Sequence, residues 1–311
     1  MRLCSFLLNG NTHVGAYNDE TIIDLTALAA RSGLQPPTMP LDLLGPDPIA
    51  RQKHKLLADK LNALSADDKK KLTLRTADAV LRAPIPNPPK FLLLAGNYNA
   101  HITEGGGRAV LKNETFPYVF MKPVTAINHP GAPVVLPKCS PDHIDWEIEI
   151  GVVIGATCKA IQPTDAPKYV AGYTVVNDIS DRRFRPNPDR KERSKDGFFD
   201  WLHGKWHDGF APIGPCITPA HEIGDPQKLR MTLKVAGQTE QDSTTANMIF
   251  PINDVVAFIS TWVTLQRGDI ISTGTPAGVG SGKGKFLRPG QRTDAAIQNI
   301  GTLTNTIVDA S

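Results

Sequence analysis

The stretch Asp145–Ile150, running on into Gly151–Gly155, alternates acids with large apolar residues and then becomes β-branched. That pattern predicts a strand rather than a helix. Residues two apart on a strand share a face, so Asp145, Glu147 and Glu149 line one side and Trp146, Ile148 and Ile150 the other. Three carboxylates in a column repel one another, and burial makes each charge costlier to desolvate. A solvated strand face would tolerate them. A hard divalent cation with oxygen ligands would instead turn the repulsion into binding.

The rest of the chain limits what can surround that strand. Its 311 residues are enough for one large domain, or one plus a small one. Glycine and proline, at 26 each, point to many turns and a β-rich body, so a mixed, β-rich α+β class is expected. A net charge of +3 gives no electrostatic case for nucleic acid as the main partner. No apolar run approaches the ~20 residues that span a bilayer, so no membrane partner is expected. The opening segment Met1–Phe6 breaks at Asn9-Gly10 and does not read as a signal peptide. Cys4, Cys139, Cys158 and Cys216 show no C-x-x-C spacing, which suits reduced thiols in a cytoplasm.

Residues 1–83 read as a small α+β unit. Leu3–Leu8 and Thr12–Tyr17 flank Asn9-Gly10, the signature of a tight hairpin. Thr21–Leu25 is a further strand, Asp24 or Thr26 can cap a helix through Ala30, and 48–74 is helical with a solvated run at Lys69, Lys70 and Lys71. Four prolines between Pro84 and Pro89 cannot continue a helix or a central strand, so 84–90 is the linker and 91–311 the main body.

In that body, strand Phe91–Ala95 leads to His101 and Glu104, three apart and so on one face of a helical turn. A carboxylate beside an imidazole fixes its tautomer and raises its basicity, as a general base requires. Asp178 follows a strand and can join Glu147 and Glu149, although a cap or turn role is open to it as well. Residues 183–200 are polar and basic (Arg185, Arg190, Lys191, Arg193, Lys195), an exposed loop or lid. His203 and His207 have the spacing of a helical zinc pair, but the neighbouring glycines disfavour a helix there. The 270–280 strand opens into a glycine-rich loop that fails the phosphate-loop pattern.

The ordered set G-N-Y-x-x-H-x-x-E, D-W-E-x-E-x-G-V-V-I-G, G-Y-x-V-x-N-D-x-S-x-R, G-K-x-x-D-G-F-A-P-x-G-P and G-D-I-I-S-T-G-T-P-A-G-V-G, over about residues 90–305, resembles the fumarylacetoacetate hydrolase family. The resemblance implies a catalytic domain of rolled mixed β-sheets behind a small N-terminal domain. It also implies a homodimer and a site for Mg²⁺ or Mn²⁺, with Ca²⁺ as a stand-in in vitro. Glu147, Glu149 and Asp178 match the metal ligands, and His101 and Glu104 the pair that activates water. Lys205 matches a catalytic and substrate-contacting lysine, while Thr275, Arg182 and Tyr98 match positions near the substrate. Asp145 has no ligand role and is expected behind the site. Arg185 stands where relatives commonly carry glutamine, in a longer and more basic stretch, and is expected to meet a second substrate carboxylate.

The implied reaction is hydrolytic cleavage of a C–C bond in a small β-diketo acid of the acylpyruvate type. Decarboxylation, tautomerisation or hydration of a 2-oxo diacid on the same metal site is the alternative. A non-catalytic metal-binding relative is a further one. A carboxylate-pair glycosidase is disfavoured, since Glu147 and Glu149 share one strand face.

Overall fold

The computed structural model describes residues 1–310 and has the β-rich α+β architecture expected, with no closed barrel among them. Strands β1 (Arg2–Leu8), β2 (Asn11–Tyr17) and β3 (Thr21–Asp24) precede helices α1 (Leu25–Arg31), α2 (Pro48–Asn62) and α3 (Ala66–Lys71). Short strands β4 (Thr73–Arg75) and β5 (Val80–Arg82) follow. Then come β6 (Phe91–Ala95), α4 (Asn99–Glu104), β7 (Tyr118–Met121), β8 (Ile127–Asn128), β9 (Val134–Val135), β10 (Ile144–Asp145) and β11 (Ile148–Ile154). Next are β12 (Val170–Asn177), β13 (Ser180–Asp181), α5 (Asp196–His203), β14 (Ala211–Pro219), β15 (Arg230–Val235) and β16 (Gln238–Thr244). The chain closes with α6 (Ile252–Trp262), β17 (Ile270–Ser272), α7 (Gly280–Lys283), β18 (Arg292–Ile297) and β19 (Gly301–Val308).

The β1–β2 hairpin turns at Asn9 and Gly10, both with positive φ, as an Asn-Gly turn requires. Asp24 caps α1 by accepting from the Ala27 N–H. The helical run expected over 48–74 divides in two, because Ser65 caps a new helix by accepting from the Asp68 N–H. The outer side of β1 pairs antiparallel with β14, Leu3 opposite Ile217, and also with β5. The first strands are thereby continuous with the main sheet, whose order is β4-β3-β2-β1-β14-β12-β11-β17-β6-β7. The proline segment between β5 and β6 carries no helix or strand, and Pro84, Ile85 and Pro88 are buried in it.

Strand β11 lies deep in this sheet between β12 and β17, and every one of its residues is buried. Ile148, Ile150, Val152 and Ile154 pack in one core with Val255 and Ile259 of α6 and with Met231, Leu233, Ala295 and Leu303 of the second sheet. That sheet has the order β16-β15-β18-β19-β9. Burying each such aliphatic side chain contributes roughly 1.5–3 kcal/mol, which fixes the strand's register and the direction in which its odd residues point.

One expectation needs correction. The acid-bearing strand is not continuous from 145, because Trp146 and Glu147 lie outside the ladder between β10 and β11. Side chains replace the missing ladder partners. The Trp146 N–H donates to Asp145 Oδ1, that of Glu147 to Asn177 Oδ1 and that of Ile148 to Gln241 Oε1.

Candidate active site

The kink before β11 and the end of β12 bring three acids together. Glu147, Glu149 and Asp178 are all buried, and each offers an oxygen within 4.8 Å of the others. Asp178 follows the last residue of β12, and its N–H donates to Glu147 O, which ties the two carboxylate carriers by backbone. The turn role open to Asp178 is thus combined with a side chain aimed at the other two acids.

Cations face this cluster. Lys205 Nζ donates to Asp178 Oδ2 at 2.6 Å, Glu147 Oε2 at 3.1 Å and Ser180 Oγ at 2.9 Å. Its ammonium also lies over the rings of Phe120 and Trp201, 5.3 and 5.7 Å from their centroids. Arg182 donates through Nε to Asp145 Oδ2 at 2.8 Å and pairs with Glu147 through Nη2. Lys122, which the sequence reading passed over, is fully buried. Its Nζ donates to Asp178 Oδ1 at 2.6 Å, Ile179 O at 3.0 Å and Phe210 O at 2.7 Å. The signal available for it was weak, one lysine beside Pro123 at the end of an otherwise apolar strand.

These pairs split the acids electrostatically. Burial works against the charge of Glu147, but Lys205 and Arg182 overcome it and hold the carboxyl down at about 2. Glu149 has no such partner. Burial, reinforced by Asp178 and Glu147, pushes it up to about 8. Burial likewise opposes the charge of Lys205, yet Asp178 and Glu147 keep its pKa above the ordinary value, whereas burial carries that of Lys122 below.

Glu149 also bears the site's unfinished valence. Its Oε2 accepts from Ser272 Oγ at 2.5 Å and from the Gly274 N–H at 2.9 Å. Its Oε1 is buried with no partner. A buried carboxylate oxygen without a donor is costly unless something occupies it. Three carboxylates converging on such an orphan fit a hard divalent cation with oxygen ligands, and they fit zinc poorly, which prefers nitrogen and sulfur.

Asp145 stands behind this arrangement, as expected. Its oxygens accept from the N–H groups of Trp146, Gly280 and Ser281 and from Arg182. A Cβ at Gly280 would lie 2.7 Å from Asp145 Oδ1, so the loop approaches this closely only because it is glycine. The same loop holds Glu104, whose two oxygens accept from the Gly278 N–H at 2.9 and 3.0 Å. His101 Nδ1 lies 3.6 Å from Glu104 Oε2, on the same turn of α4, and has no hydrogen-bond partner of its own. That spacing is beyond a formed hydrogen bond and within reach of one after a small rotation.

His101, Glu147, Arg182, Lys205 and Thr275 line one pocket of about 180 Å³ together with Trp201 and the end of β6. Thr275 Oγ1 accepts from Gln241 Nε2, which leaves its own proton to donate. Larger clefts of about 840 and 620 Å³ open around Asp19 and His54, but neither gathers such an acid cluster.

Two residues expected at the substrate are placed elsewhere. Tyr98 is buried in the main core with its hydroxyl 3.5 Å from Met231 Sδ, since the chain turns it inward just before α4. Arg185 lies in the exposed loop and pairs with Glu192 at 2.9 Å. His203 ends α5 and His207 lies beyond it, with Nε2 3.5 Å from Asp181 Oδ2.

The profile described as Fumarylacetoacetate (FAA) hydrolase C-terminal matches residues 90–308. The chain is 37% identical over 250 residues to 2,4-didehydro-3-deoxy-L-rhamnonate hydrolase of Sphingomonas sp. (strain SKA58), covering 79% of this chain and 83% of that one. Among solved structures, maleylpyruvate hydrolase from Sphingobium sp. SYK-6 in complex with manganese(II) and pyruvate superposes with a TM-score of 0.75 at 27% identity. A 5-carboxymethyl-2-hydroxymuconate delta-isomerase from Mycobacterium smegmatis does so with 0.71, also at 27% identity. Both cover the full length of each chain. No helix among the described residues is long and apolar enough to cross a membrane. With five ordered motifs gathered into one pocket and a family match spanning most of its length, the chain belongs to the fumarylacetoacetate hydrolase family, as an enzyme with hydrolases and isomerases among its relatives.

Proposed function

We propose that this enzyme hydrolyses a carbon–carbon bond in an acylpyruvate, with Glu147, Glu149 and Asp178 holding Mg²⁺ or Mn²⁺. The observation that carries the reading is the orphaned Glu149 Oε1, inside a buried three-acid cluster that shares its pocket with His101 and Lys205. A bound divalent cation supplies Lewis acidity toward the 2-oxo acid end. The chain's own groups divide the remaining work. Glu104, pinned by the Gly278 N–H, orients His101, and His101 takes the proton of a water that attacks the distal carbonyl. Lys205, desolvated under Phe120 and Trp201, offers its protons where negative charge develops on the departing enolate oxygen. Arg182 keeps Glu147 ionised, and Thr275 donates to a substrate oxygen.

The relatives support this direction. The didehydro-deoxy-rhamnonate named for one of them is a 2,4-dioxo acid, the same carbon skeleton as an acylpyruvate, and a neighbouring structure is a complex with manganese(II) and pyruvate. A homodimer is part of the proposal. Strand β7 is the outer edge of the main sheet, with Tyr118 and Met121 exposed on it and Phe116 exposed just before it, and such an edge favours pairing with a second copy.

The test is loss of enol absorbance from acetopyruvate with Mg²⁺ or Mn²⁺ present. Cleavage abolished by chelator is the expected outcome. Turnover of only oxaloacetate or of an enol tautomer would overturn the hydrolase reading.

A further inference from the structure

The pocket is small, and its lysine and arginine are tied to the acid cluster. About 180 Å³ is below the ~300 Å³ at which ordinary ligand pockets begin. Two cations line it. Arg182 is taken by Asp145 and Glu147, and Lys205 by Glu147, Asp178 and Ser180. Both are anchored at the acid cluster, so the wall away from it offers no lysine or arginine to a second carboxylate. Besides His101, Glu147 and Thr275, the remaining walls are Leu94, Ala95 and Gly96 at the end of β6 and the indole of Trp201.

Trp201 is held from two sides. Its ring meets Phe120 edge to face at 5.1 Å and Phe198 at 5.8 Å. Its helix, α5, is tied to the basic loop. Arg190 Nε donates to Asp196 Oδ2 at 3.0 Å and its Nη2 pairs with Asp200, while Arg193 Nε donates to Asp196 Oδ1 at 3.0 Å. Arg190 and Arg193 thus position an aromatic wall, and no arginine of residues 183–200 lines the pocket.

We infer that the site takes acylpyruvates whose acyl group is short and uncharged, and that Trp201 is the residue that sets the length limit. This rests on the hydrolase reading above. A rigid ring against the tail penalises each added methylene, and a methylene in a tight apolar pocket discriminates by about 10- to 200-fold. A terminal carboxylate would enter without a counter-charge and lose its hydration.

The experiment compares wild type, Trp201→Ala and Trp201→Phe as full chains loaded with Mg²⁺. Substrates are acetopyruvate, pentanoylpyruvate and maleylpyruvate. Wild type is expected to prefer the acetyl over the pentanoyl compound by at least tenfold in kcat/KM and to process maleylpyruvate poorly. Trp201→Ala should reduce the acetyl preference at least tenfold, mainly through KM, with Trp201→Phe between and maleylpyruvate still poor. Equal use of all three by wild type, or an unchanged preference in Trp201→Ala, would overturn the inference.

Calorimetric binding of 2-oxopentanoate, 2-oxohexanoate and 2-oxooctanoate, whose chains run from the length of acetopyruvate to that of pentanoylpyruvate, separates the two readings. Affinity that falls with length and recovers in Trp201→Ala, without cleavage of any acylpyruvate, would refute the hydrolase and the substrate class while upholding the wall. Cleavage with no length dependence would refute the wall and uphold the hydrolase.

Discussion

Two ion-pair clusters lie close together in sequence and differ in one respect. Where the 183–195 loop meets the start of α5, Arg190, Arg193, Asp196 and Asp200 satisfy one another, with Asp196 buried, Arg190 and Asp200 partly buried and Arg193 exposed. Under the sheet, Glu147, Glu149 and Asp178 face Lys122, Arg182 and Lys205, and one oxygen, Glu149 Oε1, is left over. A closed network is scaffolding, because each charge already has its partner and no valence is left for a ligand to fill. An open buried network is a binding device, because desolvation has been accepted without full compensation and a ligand can complete it.

The largest expected effect breaks the buried cluster. Glu149→Gln should abolish both turnover and the rise in melting temperature that Mg²⁺ or Mn²⁺ gives, while the cation-free protein stays as stable as wild type or gains. A thermal shift series with and without cation reads this, and a wild-type response in the variant would dismantle the metal site. Next comes His101→Ala, expected to lower kcat about 10²- to 10⁴-fold with the cation-induced shift intact. Stopped-flow turnover beside the same melting assay separates that outcome from damage to the metal site.

A third comparison is in pH. Glu149 is raised from its ordinary 4.5 to about 8. A carboxyl raised on folding contributes stability that is fully present below its unfolded value and is lost as pH rises through the folded one. The cation-free wild type should therefore lose stability relative to Glu149→Gln between about pH 4.5 and 8. Cation affinity should fall about tenfold per unit below pH 8, since binding must expel the proton. Parallel melting curves for the two proteins across that window would remove the electrostatic account. The smallest effect on the metal site belongs to the closed network. Arg190→Ala should lower the melting temperature, since it takes a partner from buried Asp196, and leave the cation-induced shift unchanged, and a lost shift would erase the contrast between the clusters.

Much of the site was legible because its carriers are periodic. The alternation at 145–154 displays Glu147 and Glu149 on one face, and the three-residue spacing displays His101 and Glu104 on another. Asp178 joined them only through the ordered motifs, since a lone Asp after a strand reads equally as a turn residue. Lys122 was invisible, because its partners Asp178, Ile179 and Phe210 are brought in by tertiary folding from 56 to 88 residues away. The break at Trp146–Glu147 was hidden for a related reason. The groups that replace the ladder there belong to Asn177 and Gln241, and no local pattern announces them. Tyr98 and Arg185 show the reverse hazard, in which position in a motif says nothing of where the side chain turns.

Strand β14 is flanked by β12 on one side and by β1 on the other. Removing the first 82 residues to isolate the catalytic body would strip β1 from it and bare the backbone donors and acceptors along that edge. Leu3, Val14 and Leu25 would also leave the core they share with Ile213 and Ile217. The shortened protein should collect in inclusion bodies or self-associate through the uncovered strand, and the N-terminal segment is to that extent a built-in guard against aggregation.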